Sequence, residues 1–378
     1  EKLDAPGGRA YVYRQDGFTF DAGPTIVTAP FLLEELWALC GKTFSDDGDL
    51  RPMDPFFRLH FDDGRIFDYC GDKARNIAQI KTFSEDDAEG YERYLKASEE
   101  RYKVGFEGLV DKPFDSLNAL FQFLPQLIKL RSDRSVYRLV SRYIRDPQLR
   151  MTMSFHPLLI GGNPFSVTSV YTLISYLEQR FGVWSAMGGT GSIVKGMASL
   201  IEGQGGRIEC NAEVDEILVE QGAVRGVRLA DGRELLSDLV VSNADAAWTY
   251  RHLIPAEHRK RWTDRKIERS HYSNGLFVWY FGTRGKYPDV PHHSVIMGPR
   301  YQGLLDDIFK RKVLAEDFSL YLHRPTETDP SMAPEGCDAF YALVPVPHLD
   351  ADVDWHSYGE TFRQRICSRL EETMLPGL

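Results

Sequence analysis

No stretch of this chain approaches the roughly 18 consecutive apolar residues that a membrane-spanning helix needs. A helical membrane span is therefore excluded. Cysteine is sparse and scattered: Cys40, Cys70, Cys210, Cys337 and Cys367 form no Cys-x-x-Cys pair. That argues against a disulfide framework or a cysteine-based metal centre and fits a reducing cytoplasm. Basic residues are outnumbered, 45 Lys and Arg against 55 Asp and Glu, for a net charge of −10. Such a surface argues against nucleic acid as the partner. Internal repeats and low-complexity segments are absent. So are an initiator Met, a signal peptide and any Gly-x-Gly-x-x-Gly loop after a strand.

What is present is an aromatic-rich chain of 378 residues, with 22 Phe and 18 Tyr, long enough for two domains or one large discontinuous one. Near its start, Gly7-Gly8-Arg9 precedes a strand-like run that leads to Asp21-Ala22-Gly23-Pro24-Thr25. Paired glycines let a backbone approach a bulky anion closely, and an arginine can fork onto a phosphate. A second glycine turn, Gly188-Gly189-Thr190-Gly191, opens a helix and reads either as a natural anion site or as an ordinary capped helix start, with Thr190 or Ser192 as the cap.

The spacing predicts strands at Arg9–Tyr13, Gly17–Asp21, Phe56–Phe61 and Arg65–Tyr69, the last two joined by an Asp62-Asp63-Gly64 hairpin. A helix is predicted from Pro30 to about Cys40, and mostly helix over 84–150, with Pro125 placed to split or kink it. A further helix is predicted from about Val167 to Arg180. Beyond Gly203–Gly206, strands are predicted at Arg207–Asn211, Glu213–Glu220, Ala223–Ala230 and Leu239–Ser242. Amphipathic helices at 256–269 and 357–373 and strands at Leu276–Gly282, Phe318–His323 and Ala339–Val344 complete the pattern.

Taken together, these motifs resemble the FAD-dependent carotenoid desaturases, relatives of the flavin amine oxidases. The resemblance rests on Gly7-Gly8-Arg9, on Asp21-Ala22-Gly23-Pro24 and on the run from Gly205 through Val214 to Asn243-Ala244-Asp245. It extends to His156–Phe165, Asn274–Gly282, Ala315–His323, Ala333–Cys337 and Pro345–Leu349, hence to essentially the whole chain. It implies an α/β fold: an incomplete Rossmann-like FAD-binding domain, an interleaved α+β substrate domain and a helical membrane-facing segment. The implied division is FAD-binding and first substrate strands at 1–75, a helical region at 76–180, more FAD-binding domain at 181–249 and substrate domain at 250–378.

The same resemblance implies the cofactor, FAD, and its contacts: Glu1 on the ribose, Gly7, Gly8 and Arg9 on the diphosphate, Gly23, Pro24 and Thr25 beside it, the Val214 backbone on the adenine, and Asn243. The family's glycine-rich first half would precede Glu1, and a glycine-rich segment over the flavin would follow Leu378. The sequence thus reads as lacking both ends, and a chain without them is expected to hold FAD weakly and to be inactive as a desaturase.

Removing two hydrogens from a hydrocarbon requires a hydride acceptor, which no side chain supplies and a flavin does. The protein must then bury an apolar polyene, so a long apolar tunnel is expected, with few polar groups to take the proton. Asp146 and Arg150, read as an i,i+4 pair, and His156 are the candidates. Each has a structural alternative: a surface ion pair for the first two, a satisfied core histidine for the third.

A polyene substrate resides in the bilayer, so the protein is expected in the cytoplasm, peripheral to the inner membrane. Residues 114–145 suit that contact. An apolar stripe leads into Lys129–Arg150, which carries seven basic and two acidic residues. A core-packed helix followed by a solvated basic one fits the same text. Quinone or oxygen would be the electron acceptor. Another flavin oxidase (carotenoid isomerase, amine or porphyrinogen oxidase) and a flavin-free lipid carrier of the same fold remain open alternatives.

Overall fold

A computed structural model describes residues 1–109, 111, 112 and 117–378. The expected strand at Arg9–Tyr13 begins later. Gly8–Ala10 is a single helical turn, closed by Ala10 N–H donating to Gly7 O at 2.8 Å. β1 (Val12–Gln15) then pairs with β2 (Phe18–Asp21) across Asp16-Gly17, whose φ angles of 51° and 81° suit a two-residue hairpin. α1 spans Pro30–Leu39 with proline in its first turn. After the short β3 (Leu50–Pro52), β4 (Phe57–His60) and β5 (Ile66–Tyr69) form the expected hairpin.

α2 (Lys73–Phe83) starts at Asp72, whose carboxylate accepts from Ala74 and Arg75 N–H. α3 (Asp87–Tyr102), α4 (Leu117–Lys129), α5 (Val136–Val140) and α6 (Pro147–Ser154) make the 84–150 stretch helical as expected, and α4 runs through Pro125 unbroken. Positions 113–116 of the membrane-facing stretch lie outside the described residues. The helix expected from Val167 starts later, as a turn at Ser169–Thr172 followed by α7 (Leu173–Phe181). β6 (Trp184–Ala186) and α8 (Thr190–Gly203) come next. β7 (Val214–Glu220), β8 (Ala223–Leu229) and β9 (Glu234–Leu236) form an antiparallel three-stranded sheet.

Two predicted strands do not form. Residues 209–212 lie against Glu1–Leu3 through three backbone bonds of 2.9–3.0 Å, without regular strand geometry. Leu239 and Val241 stand 74% and 83% exposed. A strand needs a neighbour's N–H and C=O groups, and no described segment offers them to 239–242. The helix expected at 256–269 shrinks to a turn at Ala256–His258 and a short helix at Asp264–Glu268.

A six-stranded sheet organises the rest. β10 (Gly275–Thr283), β11 (His293–Ile296), β12 (Leu320–His323) and β13 (Asp338–Val346) join the β4–β5 hairpin in the order β10-β13-β12-β11-β4-β5. All neighbours are antiparallel except β11 and β4. Side chains alternate between its faces. Leu320, Leu322, Phe340, Ala342 and Val344 pack on Phe362, Ile366 and Leu370 of the helix Trp355–Thr373. Those three helix residues recur every fourth position and are fully buried, each stabilising the fold by about 1.5–3 kcal/mol. The opposite face carries Tyr280, Tyr341, Tyr321, His323 and His293.

Asp21, at the end of β2, fastens this face to α8. Its carboxylate accepts from Thr190 N–H at 3.0 Å and Gly191 N–H at 3.3 Å. It therefore fills the role expected of Thr190 or Ser192, whose hydroxyls instead donate to the Pro24 and Gly189 carbonyls. Burial raises the Asp21 pKa, and the two amide bonds oppose that shift. Gly189 (φ +73°) is required beside it, because a Cβ there would lie 2.4 Å from Asp21 Oδ2. Asp21→Ala should lower the free energy of unfolding by about 1–2 kcal/mol, and Asp21→Asn by less, since one acceptor oxygen survives. Urea titration of both variants checks this; equal midpoints for Asp21→Ala and wild type would exclude the cap.

Candidate functional site

Three glycines let the first turn, the Gly23-Pro24 turn and α8 approach one another closely. A Cβ on Gly23 would lie 2.0 Å from Arg9 O, and one on Gly191 would lie 2.3 Å from Val12 Cγ2. A Cβ on Gly7 would sit 3.1 Å from Ala10 O and 3.4 Å from Val194. Gly8 differs. It holds φ +53° and has no atom within 4 Å of a Cβ position, so its backbone faces open space. The Arg9 guanidinium beside it is exposed and has no partner among the described residues. An open backbone cradle with a free arginine suits a diphosphate.

The helix start at Thr190 does not remain an anion site. Its amides are taken by Asp21, and Gly188 N–H donates to the buried Asp329 at 2.6 Å. Two carboxylates occupy the place that the glycine turn reserves for negative charge.

The tyrosine and histidine face of the large sheet closes over the far side of the turn. Tyr280 OH donates to Ala22 O at 3.1 Å, while Tyr321 OH and Tyr341 OH each lie 3.2 Å from Thr25 Oγ1. Tyr321 OH also meets His293 Nδ1 at 2.6 Å. Burial pushes the Tyr321 and Tyr341 phenols up and the Tyr280 phenol to about 12, so all three stay protonated. The sequence reading missed this face. Its signal was the alternation Leu320-Tyr321-Leu322-His323, which places polar rings on one side only.

Other expected contacts are spread over the molecule. Glu1 accepts from Leu3 N–H at 2.9 Å, and its amine donates to Glu209 O. Val214 opens β7, paired with Leu229. Asn243 is exposed, with no side-chain hydrogen bond among the described residues.

Asp146 and Arg150 are not the helix-surface pair read from their spacing. Asp146 lies outside α6 as its cap, accepting from Gln148 and Leu149 N–H, and its own N–H donates to Asp87. Arg150 donates to Ile144 O at 2.8 Å. Local capping outcompetes a solvent-screened ion pair. His156 is buried, its Nε2 2.9 Å from the equally buried Glu178 of α7. Two clefts among the described residues are polar, one lined around Ser270–Asn274, His348 and Asp350, the other around Asp54, Arg58, Asp289 and Glu327. Neither is the expected apolar tunnel.

Comparison with known proteins gives this geometry a family. Residues 1–356 match the model of flavin containing amine oxidoreductases. The chain belongs to that family. Over 383 residues, all of this chain and 74% of the relative, it is 49% identical to a phytoene desaturase (neurosporene-forming) of Cereibacter sphaeroides. A phytoene desaturase (lycopene-forming) of Pseudescherichia vulneris is 48% identical over all of this chain and 77% of its own. A solved oxidoreductase from Methanosarcina mazei shares the fold, with a TM-score of 0.67 at 17% identity, over 100% of this chain and 78% of that one. The expected FAD-dependent oxidoreductase fold is thereby confirmed, and FAD is the cofactor. The Gly7–Arg9 cradle fits it, through an open glycine backbone and an unpaired guanidinium.

Removing His156 would leave Glu178 buried without its partner, and Glu178 Oε1 already has none among the described residues. His156→Ala should therefore cost about 3–5 kcal/mol of stability. Thermal unfolding of the holoenzyme reads this. A fully stable variant that lost only activity would restore a chemical role to His156.

Proposed function

We propose that the protein desaturates a phytoene-type polyene in an FAD-dependent reaction of carotenoid biosynthesis. The observation that carries this reading is the near-50% identity to phytoene desaturases along the whole chain. FAD, when bound, supplies the hydride acceptor. The protein's work is to hold the cofactor, exclude water and dispose of a proton. Gly7, Gly8 and Arg9 hold the diphosphate; Gly23, Pro24 and Thr25 form the adjoining wall; Glu1, Val214 and Asn243 serve the adenosine end. This assignment keeps part of 1–75 and 181–249 as the cofactor side, and the β4–β5 strands of 1–75 with 76–180 and 250–378 as the substrate side. The bonds made by Asp146, Arg150 and His156 favour positional roles for all three. Quinone or oxygen reoxidises the cofactor.

In a phytoene-accumulating host, the full-length protein should convert phytoene into carotenes with additional double bonds, resolved by liquid chromatography. Untouched phytoene beside a flavin-loaded protein would point to another oxidase of the family.

The substrate's home is the bilayer, and we place the protein on its surface. No described helix is long and apolar enough to cross a membrane. α4 exposes Leu124 and Ile128, and the exposed Lys129, Arg131, Arg138 and Arg142 follow. Apolar side chains beside exposed cations suit an anionic lipid surface, with each cation contributing about 1 kcal/mol. In a flotation assay with anionic liposomes, wild type should rise with the lipid, and the triple change Arg131→Glu, Arg138→Glu, Arg142→Glu should leave it in the bottom fraction. Equal flotation of the two would remove this surface from consideration.

A further inference from the structure

Three histidines meet under the tyrosine face of the large sheet. His293 and His323 are register partners on β11 and β12, and His292 sits just before β11. All three are buried, and one ring nitrogen from each lies within 4.8 Å of the other two.

The surrounding hydroxyls decide which nitrogen of a ring is free. Tyr321 OH meets His293 Nδ1 at 2.6 Å, and Thr328 Oγ1 meets His292 Nδ1 at 2.6 Å. Nε2 is then the open atom of both rings. His292 Nε2 faces His323 Nε2 at 3.0 Å. His293 Nε2 is buried with no partner among the described residues. A buried ring nitrogen without a partner carries a desolvation cost, and apolar packing does not relieve it.

A metal ion relieves it. Outer nitrogens held by hydrogen bonds and inner nitrogens left open form the two-layered pattern of imidazole-ligated metals. Burial holds His292 down to about 3 and His293 and His323 well below the ordinary histidine value, so the rings are neutral, the form that ligates. The nearby charge also suits a cation. The Arg324 guanidinium acts on His292, and two carboxylates are bonded to it, Asp338 at 3.0 and 3.3 Å and Glu327 at 2.9 Å. One cation and two anions leave a net negative charge beside the cluster, which offsets the cost of burying a metal ion.

We propose that His292, His293 and His323 bind one closed-shell transition-metal ion, Zn²⁺ or Cu⁺, through their Nε2 atoms. Imidazole suits both ions, whereas Mg²⁺ and Ca²⁺ require oxygen ligands, and no carboxylate belongs to the cluster. Metal–nitrogen bonds of about 2.0–2.1 Å place tetrahedral ligand atoms about 3.3 Å apart. The 3.0 Å contact and the 4.8 Å limit of the cluster bracket that spacing. The ion fastens β11 to β12 and, through His293 and Tyr321, steadies Thr25 on the turn that follows Gly23. This role is structural and independent of which reaction the enzyme performs.

The test measures metal in full-length protein purified with its cofactor from cells supplied with zinc and copper. Elemental mass spectrometry should find close to one zinc or one copper per chain in wild type. X-ray absorption at that metal's edge should show nitrogen neighbours at about 2 Å, which ions scattered over surface carboxylates do not give. His293→Gln and His323→Gln should lose at least tenfold in bound metal. Tyr321→Phe keeps all three ligands and loses only the hydroxyl at His293 Nδ1. It should fold, retain its flavin and hold the ion roughly 10–100-fold more weakly. Stripping the metal from wild type with a chelator should lower its Tm, and returning the ion should restore it. Wild type that emerges metal-free and takes up neither Zn²⁺ nor Cu⁺ on reconstitution would overturn the site. So would a folded His293→Gln variant that holds as much metal as wild type.

Discussion

Asp21 is the carboxylate on which the site depends. It sits at the end of β2 and caps α8, some 170 residues later in the chain. Taking a charge out of water is costly, and two helix amides offset the cost. The clamp sets the height of α8 above the β1–β2 hairpin, and thereby the place of the Gly23-Pro24-Thr25 turn. Gly23 admits the Arg9 carbonyl only because it lacks a Cβ, so the Gly7–Arg9 turn inherits its position from the same clamp. Tyr280 and Thr25 then tie the turn to the large sheet.

That sheet divides stability from chemistry by face. On one side leucines, valines and Phe340 bury against the helix Trp355–Thr373, and their contribution is removal of apolar surface from water. On the other side tyrosines and histidines lie buried as neutral polar groups, each tolerated because a hydroxyl or ring nitrogen meets it. A mutation in the first set acts on folding. A mutation in the second acts on how the Gly23-Pro24-Thr25 turn is held.

Legibility in the sequence followed range. The β4–β5 hairpin, α1 and the helix Trp355–Thr373 were readable because turn residues and apolar spacing act within a few residues. Leu239–Ser242 has strand composition but lacks the neighbour that a ladder requires among the described residues, and 209–212 meets only the short segment Glu1–Leu3, too little for a regular ladder. Asp146 and Arg150 sit four apart, yet Asp146 precedes α6 and caps it, so spacing alone misassigned their relation.

By itself, the sequence determined the family and the cofactor. Gly7-Gly8-Arg9, Gly23-Pro24 and the run to Asn243 are local motifs whose chemistry travels with them. Only the tertiary structure decided who uses each site. It gave the Thr190 helix start to Asp21, paired His156 with Glu178, and gathered Thr25, Tyr321, Tyr341 and three histidines on one face of the large sheet. Those partners come from segments separated by up to three hundred residues. A buried polar group takes whichever partner the packing brings within about 3 Å, and that choice is not written in any local pattern.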